Sequence, residues 1–282
     1  MPFDTIRMGS SAAGAYEIER SCVFSDDGQH LIRTPSSNGN KRTWTFSGWI
    51  KRSKIGTLQT FFYAGTNNPD VIVKFTPDDQ FEVSRYSGGY TNQVTSTQKF
   101  RDVASWYHLV AAVDTEQSTA SNRVRLYVNG TEITSFAISS YPSEDYEYPE
   151  INDTGNANRI GMHQGGQYTE GLMTELNFID GQQLTPSSFG ETNADTGQWI
   201  PNFSDNSGAT ATTLGKDYSG NGNNFTPTNI SVSAGVGNDS LTDTPTNNFC
   251  TFNPLNGRPS YWGTFTHGNL DLDLPNGSYA QF

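Results

Sequence analysis

The residues best suited to hold an ion lie in the run Asp217-Tyr218-Ser219-Gly220-Asn221-Gly222-Asn223-Asn224. Side-chain oxygens of Asp217, Asn221 and Asn223, with turn carbonyls between them, are the hard ligands calcium prefers, so calcium is the only cofactor the sequence suggests. The spacing echoes the start of an EF-hand loop but lacks its closing bidentate Glu. An Asn-Gly turn whose side chains bond their own backbone accounts for the same residues. A second group is aromatic: Tyr86, Tyr90, Tyr141, Tyr146, Tyr148 and Tyr168 stand among Gly, Asn and Pro. Such rigid amphipathic rings stack on sugars or fill a subunit interface. The Pro and acids of Tyr141 to Tyr148 suit an interface, which leaves Tyr86, Tyr90 and Tyr168 as the glycan-binding candidates. His30, His108, His163 and His267 show no paired metal-ligand spacing, and His108 sits within an apolar run and reads as a core histidine. No nucleophile elbow, phosphate-binding glycine loop or zinc motif is present, so no catalytic residue is assigned and no enzyme is expected.

The elements that must position these side chains read as strands. In Thr43 to Lys51, Trp44, Phe46 and Ile50 share one face, and only Trp49 breaks the alternation. Val71, Val73 and Phe75 point one way, and Phe81 with Val83 begins the next strand after the turn-forming Pro77-Asp78-Asp79. Trp106 to Val113 is nearly continuous apolar sequence, as expected for a strand packed on both faces. Arg123 to Val128 alternates and ends in Asn129-Gly130, the dipeptide favoured in a two-residue hairpin, with Thr131 to Phe136 returning alongside. Helix is expected only as a turn near Thr185 to Phe189, where Thr185-Pro186 fits a cap followed by proline. The expected core includes Trp44, Phe46, Trp106, Leu126 and Val128.

Composition supports an all-β chain. Only 16% of the 282 residues are charged, while 28 Gly and 13 Pro supply turns. The net charge of −12 repels phosphate backbones, which disfavours nucleic acid as a partner. Cys22 and Cys250 are the only cysteines, so the fold cannot rest on a disulfide framework. No window approaches the length of a membrane span, and Met1 to Arg20 holds no apolar run of signal-peptide length. The chain is therefore expected to be soluble and not exported by itself, and its Asn-x-Ser/Thr sequons to be by-products of composition. Alternation weakens after about residue 190 into Asn-, Gly- and Thr-rich turns with scattered aromatics. The expected division is an N-terminal arm (1–19), a β-sandwich (20–190) and a loop-rich extension (191–282), the last leading into a further β domain if the chain continues. Deleting the extension is expected to leave a folded sandwich that no longer assembles.

Ser105-Trp106-Tyr107-His108-Leu109-Val110, then Arg123-Val124-Arg125-Leu126-Tyr127-Val128-Asn129-Gly130, and Gly171-Leu172-Met173-Thr174-Glu175-Leu176-Asn177-Phe178 through Leu184-Thr185-Pro186 resemble the laminin-G-like, concanavalin-A-like jelly rolls. The resemblance implies a jelly-roll β-sandwich and leaves the ligand open. Asp217 to Thr226, Asp243 to Phe249 and the opening Arg33-Thr34-Pro35 and Lys41 to Arg52 are similar to virion proteins of marine bacteriophages. That similarity implies a non-enzymatic structural protein on a capsid or tail, assembled in the host cytoplasm with copies of itself or other virion proteins and contacting host-surface glycan. The alternatives are a polysaccharide depolymerase or glycosidase on the same fold, or a bacterial surface adhesin. Glu175 to Asp180 faintly resembles the Glu-x-Asp-x-(x)-Glu strand of jelly-roll glycosidases, but the middle acid is Asn177, and Asp180 falls opposite Glu175 on a regular strand. A retaining glycosidase needs two carboxyls flanking the bond.

Overall fold

The structure, a computed structural model, describes residues 17–25, 28–189, 200–235 and 237–250, together with the backbone of two strands beyond them. The strands are β1 (Ser21–Phe24), β2 (His30–Arg33), β3 (Thr43–Arg52), β4 (Gln59–Gly65), β5 (Asp70–Phe75), β6 (Gln80–Tyr86), β7 (Tyr90–Lys99), β8 (Trp106–Asp114), β9 (Val124–Val128) and β10 (Thr131–Glu132). They continue with β11 (Phe136–Ser140), β12 (Ala157–Ile160), β13 (Met162–His163), β14 (Gln167–Tyr168), β15 (Gly171–Asp180), β16 (Thr226–Thr228), β17 (Ser240–Leu241), β18 (Thr264–Thr266) and β19 (Asp271–Asp273). Helix is confined, among the described residues, to two single 3-10 turns. One is at Pro186–Ser188, where Thr185 flanks the turn without making a side-chain cap.

Two antiparallel sheets form a jelly-roll sandwich. One is seven-stranded, in the order β10-β9-β8-β3-β15-β1-β17, and the other eight-stranded, in the order β11-β7-β6-β5-β4-β12-β2-β16. The period-two alternation decides what lies between them: Trp44, Phe46, Leu126, Phe62, Phe75 and Phe178 are fully buried in one cluster. Trp44 stacks on Phe178 at 5.8 Å and meets the edge of Tyr148 at 6.0 Å. Removing such an aromatic leaves a cavity and destabilises by about 3–5 kcal/mol.

Two expectations are corrected here. Trp106 is buried, but on the outer face of the seven-stranded sheet, with Val23 and Leu172. On β8 it is Tyr107, Leu109, Ala111 and Val113 that face the core, so Trp106 is out of phase with them. Val128 is only partly buried at the core's margin. The Asn129-Gly130 turn forms with both residues at positive φ (47° and 83°), yet the returning strand pairs only over Thr131–Glu132. The chain then leaves for the opposite sheet, where β11 pairs with β7.

The strand β15 carries a bulge between Thr174 and Asn177, with Glu175 at φ 48°. The extra residue reverses which residues face inward, so Leu176 and Phe178 enter the core. Gly48 sits opposite because a Cβ there would lie 2.5 Å from the Leu176 Cδ2.

Residues 200–250, read from sequence as part of an extension, wrap the sandwich. The strand β16 adds to β2 at the edge of the eight-stranded sheet, and β17 adds to β1 at the edge of the seven-stranded one. Phe203, Leu214, Phe225 and Ile230 join the central core. Tyr148 is 1% exposed in that core, so it fills the protein's own interior, and Tyr141 and Tyr146 pack against the core while partly exposed.

Candidate functional site

The strands β3 and β8 lie side by side with Trp49 opposite His108 and Lys51 opposite Trp106. Their inward partners belong to the core, so Trp49, Trp106 and His108 all project from the outer face of the seven-stranded sheet. There they line an open groove of about 580 Å³ bordered by Asn129, Gly130, Pro186 and Ser187. Local sequence places each wall. The positive-φ Asn129-Gly130 turn lets the Asn129 carboxamide accept from the His108 backbone N–H at 2.8 Å. The proline-initiated turn at Pro186–Ser188 brings Pro186 and Ser187 to the opposite side.

Both tryptophans and the imidazole are held firmly. The rings of Trp49 and His108 are 4.9 Å apart, and Phe189 presents an edge to His108 at 6.1 Å. The His108 Nε2 lies 2.9 Å from the Ser47 Oγ, and the Trp106 indole N–H donates to Asp243 at 3.2 Å. Burial pushes the His108 pKa down to about 4, so the imidazole is neutral at ordinary pH. The lining residues therefore carry no charge: two indoles, an imidazole, an amide and a hydroxyl. Aromatic faces take the apolar C–H surface of a ring-shaped ligand, and a few fixed polar groups at the rim orient its hydroxyls.

The candidates from sequence lie elsewhere. Tyr86 and Tyr90 pair across the β6–β7 hairpin with rings 5.5 Å apart and near perpendicular. Tyr90 is 53% exposed, and Lys74 reaches it, its Nζ 5.0 Å from the ring and 3.2 Å from the hydroxyl it donates to. Beneath them Lys74 and Glu82 form a buried ion pair at 3.0 Å. Tyr168 lies on the separate β13–β14 hairpin beside Gly28. The structure thus joins two of the three tyrosines and leaves the third apart.

Asp217 and Asn223 come together, but around donors. The Asp217 carboxylate accepts from the backbone N–H of Ile200, Ser219 and Asn223 and from the Ser219 hydroxyl, at 2.8–2.9 Å. The Asn223 Oδ1 takes the Arg33 guanidinium at 2.6 Å, while the Asn221 N–H turns to the Ser219 hydroxyl at 3.3 Å. Among the described residues no group of three His, Cys, Asp or Glu converges as a metal site. At β15 the bulge places Glu175 in the left-handed region, and Asp180 accepts from the Asn40 backbone and the Asn152 carboxamide, both at 2.8 Å.

Sequence reading missed the groove, although two signals mark it: the tryptophan that breaks the alternation of β3, and a histidine two residues from a second tryptophan on a strand packed on both faces.

Comparison with curated protein sequences finds no match. Among solved structures the chain is similar to a heptameric pentraxin from Limulus polyphemus, with 15% identity, 61% of this chain and 80% of that one covered, and a TM-score of 0.44. It is also similar to domain 4 of an extracellular arabinanase from Geobacillus stearothermophilus, with 20% identity, coverage of 59% and 73%, and a TM-score of 0.44. For the LG4-5 domains of the mouse laminin α1 chain the identity is 12%, the coverage 65% and 48%, and the TM-score 0.43. Residues 26–188, more than half of the sequence and every strand from β2 to β15, match a laminin G family model, and the chain belongs to the concanavalin A-like lectin/glucanases superfamily.

Proposed function

We propose that this protein is a non-enzymatic, glycan-binding structural component of a bacteriophage virion, and that its sugar site is the groove between Trp49 and Trp106. The observation that carries the binding site is the groove itself: an uncharged open cleft of about 580 Å³ with indole walls and an amide and hydroxyl rim. That volume suits one or two sugar units. Support for a binder rather than a hydrolase comes from the lining, which includes no carboxylate, whereas the common glycosidase mechanisms need two. The virion assignment, and assembly with further copies or other virion proteins, rests on the similarity of Arg33 to Pro35, Lys41 to Arg52, Asp217 to Thr226 and Asp243 to Phe249 to phage structural proteins.

Titration of host-surface polysaccharide fragments into the purified protein tests the site. Trp49→Ala should weaken binding at least about tenfold, equivalent to 1.4 kcal/mol. Tyr86→Ala with Tyr90→Ala should leave it unchanged. The reverse pattern would move the site to the eight-stranded sheet, and release of reducing sugar would replace the binder by an enzyme.

A further inference from the structure

Lys51 is a fully buried cation of the seven-stranded sheet. Its side chain and that of Asp243 are both fully buried, with Nζ 2.8 Å from the Asp243 Oδ2. The remaining Nζ protons go to the Asn248 side-chain oxygen at 2.7 Å and the Phe249 carbonyl at 2.8 Å. Asp243 is fixed in turn, since its Oδ1 accepts from the Trp106 indole and the Phe249 N–H, each at 3.2 Å. Leu172, Val23 and Leu241 lie in the apolar cluster around Trp106. A buried amine and carboxylate thus meet a carboxamide that reaches them from the surface.

That trio can react. We propose that Lys51 and Asn248 become joined by an intramolecular isopeptide bond, with Asp243 as the proton acceptor. The Asp243 Oδ2, 2.8 Å from the Lys51 Nζ, is placed to take a proton from it. Transfer of one ammonium proton to the Asp243 Oδ2 frees the Nζ lone pair. The amine then adds to the Asn248 Cγ, whose oxygen is already in contact with it. The new C–N bond forms as the bond from Cγ to Nδ2 breaks, and Nδ2 leaves as ammonia with the second amine proton. Asp243 then gives its proton to that ammonia, which departs as ammonium, so no oxidant or other reactant is consumed. The leaving nitrogen faces outward: Asn248 is an exposed residue, and its Nδ2 donates to the Ala104 carbonyl at 3.0 Å. Holding the reactants in contact is the main catalytic requirement of such a step. The product fastens the C-terminal end of β3 to the segment that follows β17.

Intact-mass spectrometry of the denatured full-length protein reads the bond directly. The wild type should be lighter than its sequence by one ammonia, and digestion should yield a branched peptide joining Lys51 to Asn248. N248A, altered at an exposed residue, should fold and keep the full sequence mass, as should K51R. D243N should also keep the full mass, and a crosslinked D243N would overturn the role given to Asp243. A folded wild type at full sequence mass after prolonged incubation would overturn the bond. So would ammonia loss that maps to succinimide at Asn129-Gly130 or Asn221-Gly222 with Lys51 unmodified.

Discussion

Acidification should destabilise this fold through His108. Burial lowers its pKa from 6.5 to about 4, so between those values the unfolded chain holds a proton that the folded protein refuses. Stability is therefore full above the unfolded value and is lost as the pH falls toward about 4. The complete loss is about 3 kcal/mol, and the step from about pH 8 to about pH 5 takes about 2 kcal/mol of it. Asp180, raised by burial, opposes the trend, because the folded protein holds its proton more tightly. Asp102, held low by the Ser105 hydroxyl, and Asp153, held low by Lys41, lose their contribution only below the ordinary carboxylate range. Urea denaturation of the wild type and His108→Gln at both pH values isolates the effect. The wild type should lose about 2 kcal/mol more than the variant, and the imidazole resonances should titrate near pH 4. An equal pH slope in the two proteins, or an imidazole midpoint near 6.5, would refute the reasoning.

Other substitutions test the packing. Gly48→Ala forces a Cβ to within 2.5 Å of the Leu176 Cδ2 and should cost about 1–3 kcal/mol in thermal melts; combined with Leu176→Ala the losses should be less than additive. In the N248A background, where Lys51 keeps its ammonium, Asp243→Ala leaves that charge buried without its partner and should destabilise by about 3–5 kcal/mol in urea titrations. Truncation after residue 199 strips Phe203, Leu214 and Phe225 from the core. At about 3–5 kcal/mol for a buried Phe, this should abolish cooperative unfolding, against the expectation from sequence that the sandwich stands without its extension.

The sandwich was legible because its strands obey a period of two. Trp44 and Phe46, Val71, Val73 and Phe75, and Val124 and Leu126 lie on the faces their spacing indicates. The Asn129-Gly130 turn could be read because few residue pairs accept two positive φ values. Periodicity fails where a strand is apolar on both faces: along Trp106 to Val113 it cannot say which set faces inward, and Trp106 lies on the outer side. It fails again at a bulge, as at Glu175, where one inserted residue reverses the phase. The groove was hidden for a related reason, since its walls come from β3, β8, the turn after β9 and the turn at Pro186, brought together only by sheet order. The segment 200–250 looked separate because its contacts are made by single residues, Asp217 organising a loop and Phe203 or Phe225 filling a gap, and neither leaves a repeating pattern.

That late segment also sets a timetable. The strand β1 is flanked by β15 and β17, so Cys22 pairs with Met173 on one side and with Ser240 on the other. A ribosome emits the N-terminal strand long before either neighbour exists, and β2 waits likewise for β12 and β16. Until residues near 240 have emerged, β1 and β2 each lack a neighbour and present unpaired edges to any other chain. Pairings this distant in sequence are slow to form. The nascent chain therefore spends most of its synthesis with strands that have no partner yet.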